Sequence, residues 1–168
     1  NEKTVCSAIS SANMLMEHWW TQILQQCTIL SLTQEHVISF ISDFTRTLGS
    51  RELFSLPRTL FSGKGILIDT LISQGLINEK DGKIFFVHQS FLDYFLAHES
   101  VKKVLLERKR LVDLIGNQDS QTPNLRYRFL SILNGIAESD MSIFVEEAEL
   151  ILASNNVRYY YKCAVFEA

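Results

Sequence analysis

The chain contains few cysteines and no long apolar run. Its three cysteines, Cys6, Cys27 and Cys163, are odd in number and widely spaced, so they match neither a disulfide framework nor a zinc-binding pattern. This usage fits a reducing cytosol, and we expect a cytoplasmic protein. No apolar stretch approaches the ~20 residues that a membrane-spanning helix needs. The N-terminal "NEKTVCSAIS" also lacks the basic and then apolar order of a signal peptide, so we predict no membrane contact.

Excess charge of one sign is also missing. The formal net charge of the 168 residues is −3, which does not favour broad binding to a phosphate backbone. The apolar content of 46% is enough for a real core, and the length allows one domain or two small ones. The chain starts without Met and stops within the periodic segment "YYYKCAVFEA". We therefore interpret it as a piece of a longer protein.

Metal-binding and catalytic motifs are missing as well. None of the four histidines has an i, i+4 partner or a Cys-x-x-Cys neighbour, and no Ser or Cys lies in a glycine-flanked elbow. Gly63-Lys64 precedes a predicted helix, but Arg58 and Gly65 occupy positions where a phosphate-binding loop needs Gly and Ser or Thr. We predict no catalytic residue, no metal site and no enzyme activity for this chain.

Apolar residues that recur every three or four positions predict three helices in the first half, over residues 3–27, 33–48 and 64–74. Thr33 is a plausible N-cap of the second helix, and Gly49 is its expected C-terminal stop. The third helix should end at Gly75. Because it is apolar at most positions, we interpret it as packed on two sides. The intervening "RELFSLPRTL" is irregular, and Pro57 is expected to open a short turn or helix.

A hairpin and a fourth helix follow. In "LINEKDGKIFFV" two apolar runs flank a turn that contains Asp81-Gly82, which predicts a β-hairpin. Ser90 is a candidate N-cap for the next helix, with Asp93 as its capping-box partner, and this helix could continue to about Leu114. The order helix, turn, helix, hairpin, helix is that of a winged helix with a helix fused behind the wing.

The remaining residues predict three short helices, with breaks near Ser139-Asp140 and at residues 154–156. Helices of similar length joined by short polar breaks are typical of a stacked helical array of the HEAT or armadillo kind. We interpret the acidic cluster of Glu146, Glu147 and Glu149 as a solvated helix face. In the run of residues 159–161, helical periodicity must expose at least one tyrosine ring. The predicted fold class is therefore mainly α.

A winged helix raises the alternative of a DNA-binding regulator. The helix that would enter the major groove needs Arg, Lys, Asn or Gln aimed at bases, but residues 64–74 offer only Lys64 and Gln74 at their ends. The wing "NEKDGK" is close to neutral. Nucleic-acid binding is therefore disfavoured but stays open as an alternative, as does a protein–protein scaffold in which the winged helix is only a docking platform.

The segment "FVHQSFLDYFLA" resembles the signature Phe-x-His-x-Ser-Phe-x-Glu-Tyr-Phe-x-Ala of signal-transducing NTPases with numerous domains, the STAND class, and especially its NACHT branch. Eight positions agree in spacing, with Asp in place of the commoner Glu; they are Phe86, His88, Ser90, Phe91, Asp93, Tyr94, Phe95 and Ala97. The resemblance covers roughly residues 30–110. In that class the signature ends the winged helix that follows the nucleotide-binding core.

The resemblance implies a regulatory role without catalysis. Residues 1–28 would end a helical linker domain, residues 29–110 would form the winged helix, and residues 111–168 would begin the helical sensor array. His88 would contact the β-phosphate of ADP in the parent protein, whose core would bind ADP or ATP with Mg²⁺; this chain itself would hold no cofactor. The expected partners are that NTPase core, further helical repeats and other copies on activation.

Three aromatic residues of the signature are better interpreted as structural. Phe91, Tyr94 and Phe95 are spaced by three and four positions, which places their rings on one helical face. We expect them to lock the fourth helix to the hairpin and to the second helix. The fourth helix would then act as a lever that transmits a movement of the wing.

Overall fold

The computed structural model describes the backbone of residues 12–168 and the side chains of residues 14–123 and 125–168. This part of the chain contains eight α-helices and one three-stranded antiparallel sheet, which confirms the mainly α fold class. Its residues form two compact units, and the division between them falls after Phe95. The finer division at residues 28 and 110 stays a prediction.

The first unit opens with the helices α1 (Ala12–Ile29) and α2 (Gln34–Ser50). The start of the predicted helix over residues 3–27 lies outside the described residues, and its described part is helical. The N-cap of α2 is confirmed, because the Thr33 hydroxyl accepts a hydrogen bond from the His36 amide at 3.4 Å. This bond satisfies one of the amides that the first turn of a helix leaves without a partner.

The predicted stop of α2 at Gly49 is wrong. The helix includes Gly49, and the left-handed residue that ends it is Glu52, with φ of 52°. The Leu53 amide then donates to the Leu48 carbonyl at 3.0 Å, which is the hydrogen bond of a Schellman motif. The closing residue usually is glycine, which explains why the sequence pointed to Gly49.

Helix α3 (Gly65–Ser73) ends as predicted, with Gly75 at φ of 71° and the Leu76 amide bonded to the Leu71 carbonyl at 3.1 Å. The prediction that α3 is packed on two sides is wrong. Leu67, Ile68 and Leu71 are buried, but Ile66 on the other face is 78% exposed. Apolar composition alone therefore overstated how much of the helix is covered.

The sheet consists of β1 (Leu56–Pro57), β2 (Ile77–Lys80) and β3 (Lys83–Phe86) in the order β1-β3-β2. The predicted hairpin is confirmed: Asp81 and Gly82 both have positive φ, at 52° and 69°, as a two-residue type I′ turn requires. A short 3-10 helix, Arg58–Phe61, follows Pro57 as expected. Strand β1 was missed, because two residues carry no recognisable alternation.

The core of the first unit is built from α2, α3 and the sheet. Phe40 and Phe44 stack at 5.8 Å between ring centroids, and Phe61 meets both rings edge-on. Phe86 of β3 contacts Phe44 at 5.0 Å. The order of helices and hairpin that defined the predicted winged helix is therefore present, with aromatic rings joining the second helix to the wing.

Helix α4 (Gln89–Leu105) starts in the first unit and ends in the second. The predicted N-cap, Ser90, is already inside the helix, so that prediction is wrong by two residues. The predicted continuation to about Leu114 is also wrong. The chain turns at Arg108, which has φ of 55°, before a separate short helix α5 (Leu111–Leu114) begins.

The second unit continues with α6 (Arg126–Ser139), α7 (Met141–Ala153) and α8 (Tyr159–Val165). Both predicted breaks are confirmed. The carboxylate of Asp140 caps α7 by accepting from the amides of Ser142 at 2.9 Å and Ile143 at 3.1 Å. Tyr159 is 81% exposed while Tyr161 is buried, as the helical periodicity predicted. The core of this unit is mainly aliphatic, with Phe129 and Tyr161 as its large buried rings.

Candidate functional site

His88 lies at the joint between the hairpin and α4. The preceding residue is held to the first unit by a hydrogen bond from the Val87 amide to the Leu76 carbonyl at 3.1 Å. The following turn begins with a bond from the Phe91 amide to the His88 carbonyl, also 3.1 Å. The backbone on both sides of His88 is therefore fixed, and its exposed side chain projects from a defined position.

The imidazole of His88 contacts one ring and is otherwise open. Its centroid lies 5.8 Å from that of Phe91, with the two planes tilted by 59°. Within the described part of the chain, neither ring nitrogen takes part in a hydrogen bond or an ion pair. The alternative explanation is that the His88 side chain bonds to the hairpin backbone or caps α4. Neither hydrogen bond is present among the described residues.

Phe91 and Phe95 connect α4 to α1, a contact that the sequence interpretation missed. Phe91 stacks on Trp19 with centroids 4.3 Å apart and planes 8° from parallel. Phe95 meets Trp20 edge-on at 5.0 Å. This contact could not be predicted, because the sequence alone does not indicate which aromatic residues pair when they lie on two helices far apart in the chain.

Of the predicted contacts between the lever residues and the hairpin, the one made by Phe95 is present. Phe95 stacks on Phe86 at 5.6 Å, and Phe86 in turn contacts Phe44 of α2. Tyr94 packs edge-on against Phe95 at 5.2 Å. Burial, and secondly the Glu17 carboxylate, raise the pKa of Tyr94 to about 12. These rings lie where a lever would need them, and the transmission of a movement stays a prediction.

The surface of α3 and the wing is organised by Arg58. Its Nη1 donates to Glu79 Oε2 at 2.5 Å and its Nη2 donates to Asp69 Oδ1 at 2.7 Å. The hydrogen bond to Glu79, followed by that to Asp69, raises the pKa of Arg58. The solvent-facing side of α3 presents Ile66, Asp69 and Ser73. One arginine against two carboxylates leaves this cluster without the net positive charge that favours phosphate contacts.

The cysteines and histidines come together in no metal-binding cluster: no group of three His, Cys, Asp or Glu that could hold an ion occurs among the described residues. Cys27 is buried, and this burial raises the pKa of its thiol, which makes it a poor nucleophile. No helix in residues 12–168 is both long enough and apolar enough to cross a bilayer.

Glu147 corrects the interpretation of the acidic cluster. Glu146 and Glu149 are exposed as expected, but Glu147 is only 2% exposed. Its Oε2 accepts from the Leu111 amide at 2.6 Å, and its Oε1 accepts from Arg110 Nη1 at 3.1 Å. The same arginine binds Glu146 at 2.6 Å. This carboxylate holds the first turn of α5.

Comparisons of the chain with protein-family models, with curated proteins and with solved structures found no match. The resemblance to signalling NTPases therefore rests on the signature in residues 86–97 and the segments around it. In that signature the structure shows one exposed histidine, His88, and a set of packed aromatic rings. The role of His88 stays a prediction from this arrangement.

Proposed function

We propose that this chain is the winged-helix switch of a STAND-type signalling NTPase. In this proposal it performs no catalysis: His88 contacts the phosphate of a nucleotide held by a separate core, and α4 passes the loss of that contact to a helical sensor array. ADP or ATP with Mg²⁺ belongs to the core. Such a protein would act in signal transduction, engaging further repeats and other copies of itself on activation.

The observation that carries the proposal is the pattern of burial within the signature. Phe86, Phe95 and Ala97 are buried, and Phe91 is half-buried against Trp19. His88 and Ser90 are the signature residues whose polar side-chain groups are exposed and without a hydrogen bond to the described residues, and the resemblance assigns the phosphate contact to His88. Packing alone accounts for the aromatic positions. It does not account for a histidine held in place by backbone bonds on both sides and directed at solvent.

The chemistry required of His88 is modest. An imidazole can donate a hydrogen bond to a phosphate oxygen, or carry a positive charge near neutral pH. Such a contact biases a switch only by the difference in its strength between the two states. Breaking it on nucleotide exchange would release the winged helix for a rigid-body movement, with α4 and its rings moving together.

The test compares this chain with the longer protein that contains it. Calorimetry with ADP should detect no binding to this chain alone. In the longer protein, His88→Ala should release bound ADP about ten- to hundredfold faster, because a hydrogen bond to a charged group contributes about 1.5–3 kcal/mol. His36→Ala, a change of the same residue at another exposed position of the first unit, is the matched control. Tight ADP binding by this chain, or unchanged ADP release from His88→Ala, contradicts the proposal.

A docking platform for another protein is the second candidate, and a different observation favours it. Phe54, Leu60 and Ile66 are exposed apolar side chains of the first unit. This function predicts that Ile66→Ser weakens assembly of the longer protein while His88→Ala leaves ADP release unchanged. The DNA-binding alternative predicts salt-dependent binding to random duplex DNA, and the charges around Arg58 lead us to expect none.

A further inference from the structure

Three rings join α1 to the exposed histidine of the signature. Phe91 lies in the middle. Its ring centroid is 4.3 Å from that of Trp19, with planes 8° from parallel, and 5.8 Å from that of His88, with planes tilted by 59°. Stacked and tilted arrangements of this kind both attract. We call these three residues the Trp19–Phe91–His88 stack.

The middle ring of the stack is held in place. Trp19 covers one face of the Phe91 ring, and the Phe91 amide donates to the His88 carbonyl at 3.1 Å, which constrains its backbone. Trp19 and Phe91 are both half-buried. Further along α1, the buried side chains of Ile23 and Cys27 anchor the helix that carries Trp19. A well-held aromatic ring therefore lies beside His88.

The imidazole of His88 has Phe91 as its ring neighbour and is otherwise free to rotate within the described part of the chain. It is exposed and forms no hydrogen bond there. A side chain that rotates freely loses conformational entropy when a ligand fixes it. Because Phe91 occupies one side of the imidazole, fewer rotamers are open to His88 before it binds. Phe91 should therefore reduce the entropy that His88 loses on contact with phosphate.

Trp19 reaches His88 through Phe91. The described ring contacts include none between Trp19 and His88, whereas each of them contacts Phe91. The neighbouring Trp20 packs on Phe95, a ring without a described contact to His88. Two adjacent tryptophans of α1 thus pack on two rings of α4, and one of those rings leads to the histidine.

We propose that Trp19 and Phe91 are positioning residues that set the orientation of the His88 imidazole, so that the placement of α1 controls the phosphate contact. The ligand, a phosphate, is that of the proposed function, on which this inference rests. A shift of α1 that separates Trp19 from Phe91 would free the imidazole and weaken the contact. The switch then has a second input, whose strength is the difference between the stacked and separated states.

The first experiment uses this chain alone and needs no nucleotide. The imidazole proton resonances of His88, identified by their loss in His88→Ala, should be displaced by the ring current of Phe91 and show nuclear Overhauser effects to its ring protons. Phe91→Leu should remove both signs of contact. Trp19→Leu should move the same resonances toward those of a freely rotating histidine. The conservative Trp19→Phe, which keeps an aromatic ring in the stack, should restore most of the displacement.

Trp20→Leu is the matched control, because it makes the same change one residue along and loosens the contact with Phe95 instead. It should leave the His88 resonances unchanged. Two results overturn the inference: His88 resonances in Trp19→Leu that equal those of the unchanged chain, or equal displacements in Trp19→Leu and Trp20→Leu.

The second experiment measures ADP release from the longer protein. Trp19→Leu should accelerate release about two- to tenfold, the scale on which an aromatic pair contributes, and should add nothing in a His88→Ala background. Equal acceleration in both backgrounds would show that Trp19 does not act through His88, which overturns the inference. If His88→Ala itself leaves release unchanged, the proposed function fails, while the resonances still decide whether the stack positions His88.

Discussion

The two units of this protein are stabilised by different kinds of contact. In the first unit, rings from α1, α2, α4 and the hairpin meet one another in an uninterrupted series, from Trp20 through Phe95 and Phe86 to Phe44. In the second unit, the distinctive contacts join polar side chains to backbone groups 34 to 40 residues away. Apolar burial is common to both, and in the second unit polar side chains also hold the loops through backbone groups.

Gln121 illustrates the second kind of contact. It is almost fully buried, and its Nε2 donates to the carbonyls of Gly116 at 3.0 Å and Asn156 at 2.9 Å. Its Oε1 accepts from the Arg158 amide at 2.7 Å. The hydroxyl of Tyr160 donates to the Gln121 carbonyl. One side chain thus fixes the loops before α6 and α8, and truncating it would leave several buried backbone groups unpaired.

Because their contacts differ in kind, the two units should be destabilised by different substitutions. A ring deleted from the first unit leaves a cavity, whose cost grows with the volume lost. A polar group deleted from the second unit leaves a buried partner without a hydrogen bond, whose cost depends on which partner remains. Both tryptophans, Trp19 and Trp20, lie in the first unit, so tryptophan fluorescence reports on that unit and hydrogen exchange can report on the other.

The largest effect is expected for Phe44→Ala. This ring is fully buried and contacts Phe40, Phe61 and Phe86, so its loss should lower the free energy of unfolding by about 3–5 kcal/mol. Urea unfolding followed by tryptophan fluorescence measures the change, with exposed Phe54→Ala as the control.

The less drastic Phe44→Leu keeps this prediction testable should the alanine variant not fold. It removes less side-chain volume than Phe44→Ala, so it should lower the free energy of unfolding by a smaller amount. Equal effects of Phe44→Ala and Phe54→Ala would show that the ring series does not stabilise the first unit.

A smaller effect is expected for Glu147→Ala in the second unit. The change removes the acceptor of the buried Leu111 amide and one partner of Arg110, which should cost about 1.5–3 kcal/mol. Hydrogen exchange of peptides that cover α5 should become faster, while exchange in α2 should not change. Glu149→Ala, an exposed glutamate on the same helix, should have little effect. Unchanged exchange in α5 would mean that Glu147 does not hold this turn.

The smallest loss of stability is expected when either of the two N-cap residues, Asp140 or Thr33, is replaced by alanine. Asp140 accepts two amide hydrogen bonds, whereas Thr33 accepts one at 3.4 Å, so Asp140→Ala should lower the melting temperature more than Thr33→Ala. The bond from the Ile143 amide lowers the pKa of Asp140 from its ordinary 3.8. A carboxyl whose folded pKa is depressed stabilises above its unfolded pKa and loses that contribution as the pH falls through the folded value.

Melting curves at pH 7 and in the acid range test this sign. The difference between Asp140→Ala and the unchanged chain should shrink as the pH falls below 3.8. The difference for Thr33→Ala should not depend on pH in this way, because a hydroxyl does not titrate there. A pH-independent difference for Asp140→Ala would contradict the role of its carboxylate.

Local signals in the sequence predicted the elements whose cause is local. Asp81-Gly82 specified the hairpin, and Gly75 specified the end of α3, because each depends on backbone angles at one or two residues. The same reasoning failed at Glu52, where a residue other than glycine takes the left-handed conformation. The Leu53 amide still bonds to the Leu48 carbonyl there, so the Schellman motif forms without glycine.

Long-range polar contacts could not be predicted in the same way. Nothing near Glu147 in sequence distinguishes it from Glu146 or Glu149, since its partners lie 36 and 37 residues earlier. For the candidate site, the signature located His88 and the aromatic spacing placed Phe91 and Phe95 on one face. The pairing of those rings with Trp19 and Trp20 required the fold.

The short strand β1 has a consequence for how copies of this protein behave at high concentration. An open sheet edge can recruit another chain and start a growing aggregate. Here one edge is only two residues long and includes Pro57, which lacks the N–H that a recruited strand would need. The other edge is β2, where Glu79 and Lys80 place charges along the strand. Both borders of the sheet thus disfavour the strand pairing that starts polymerisation.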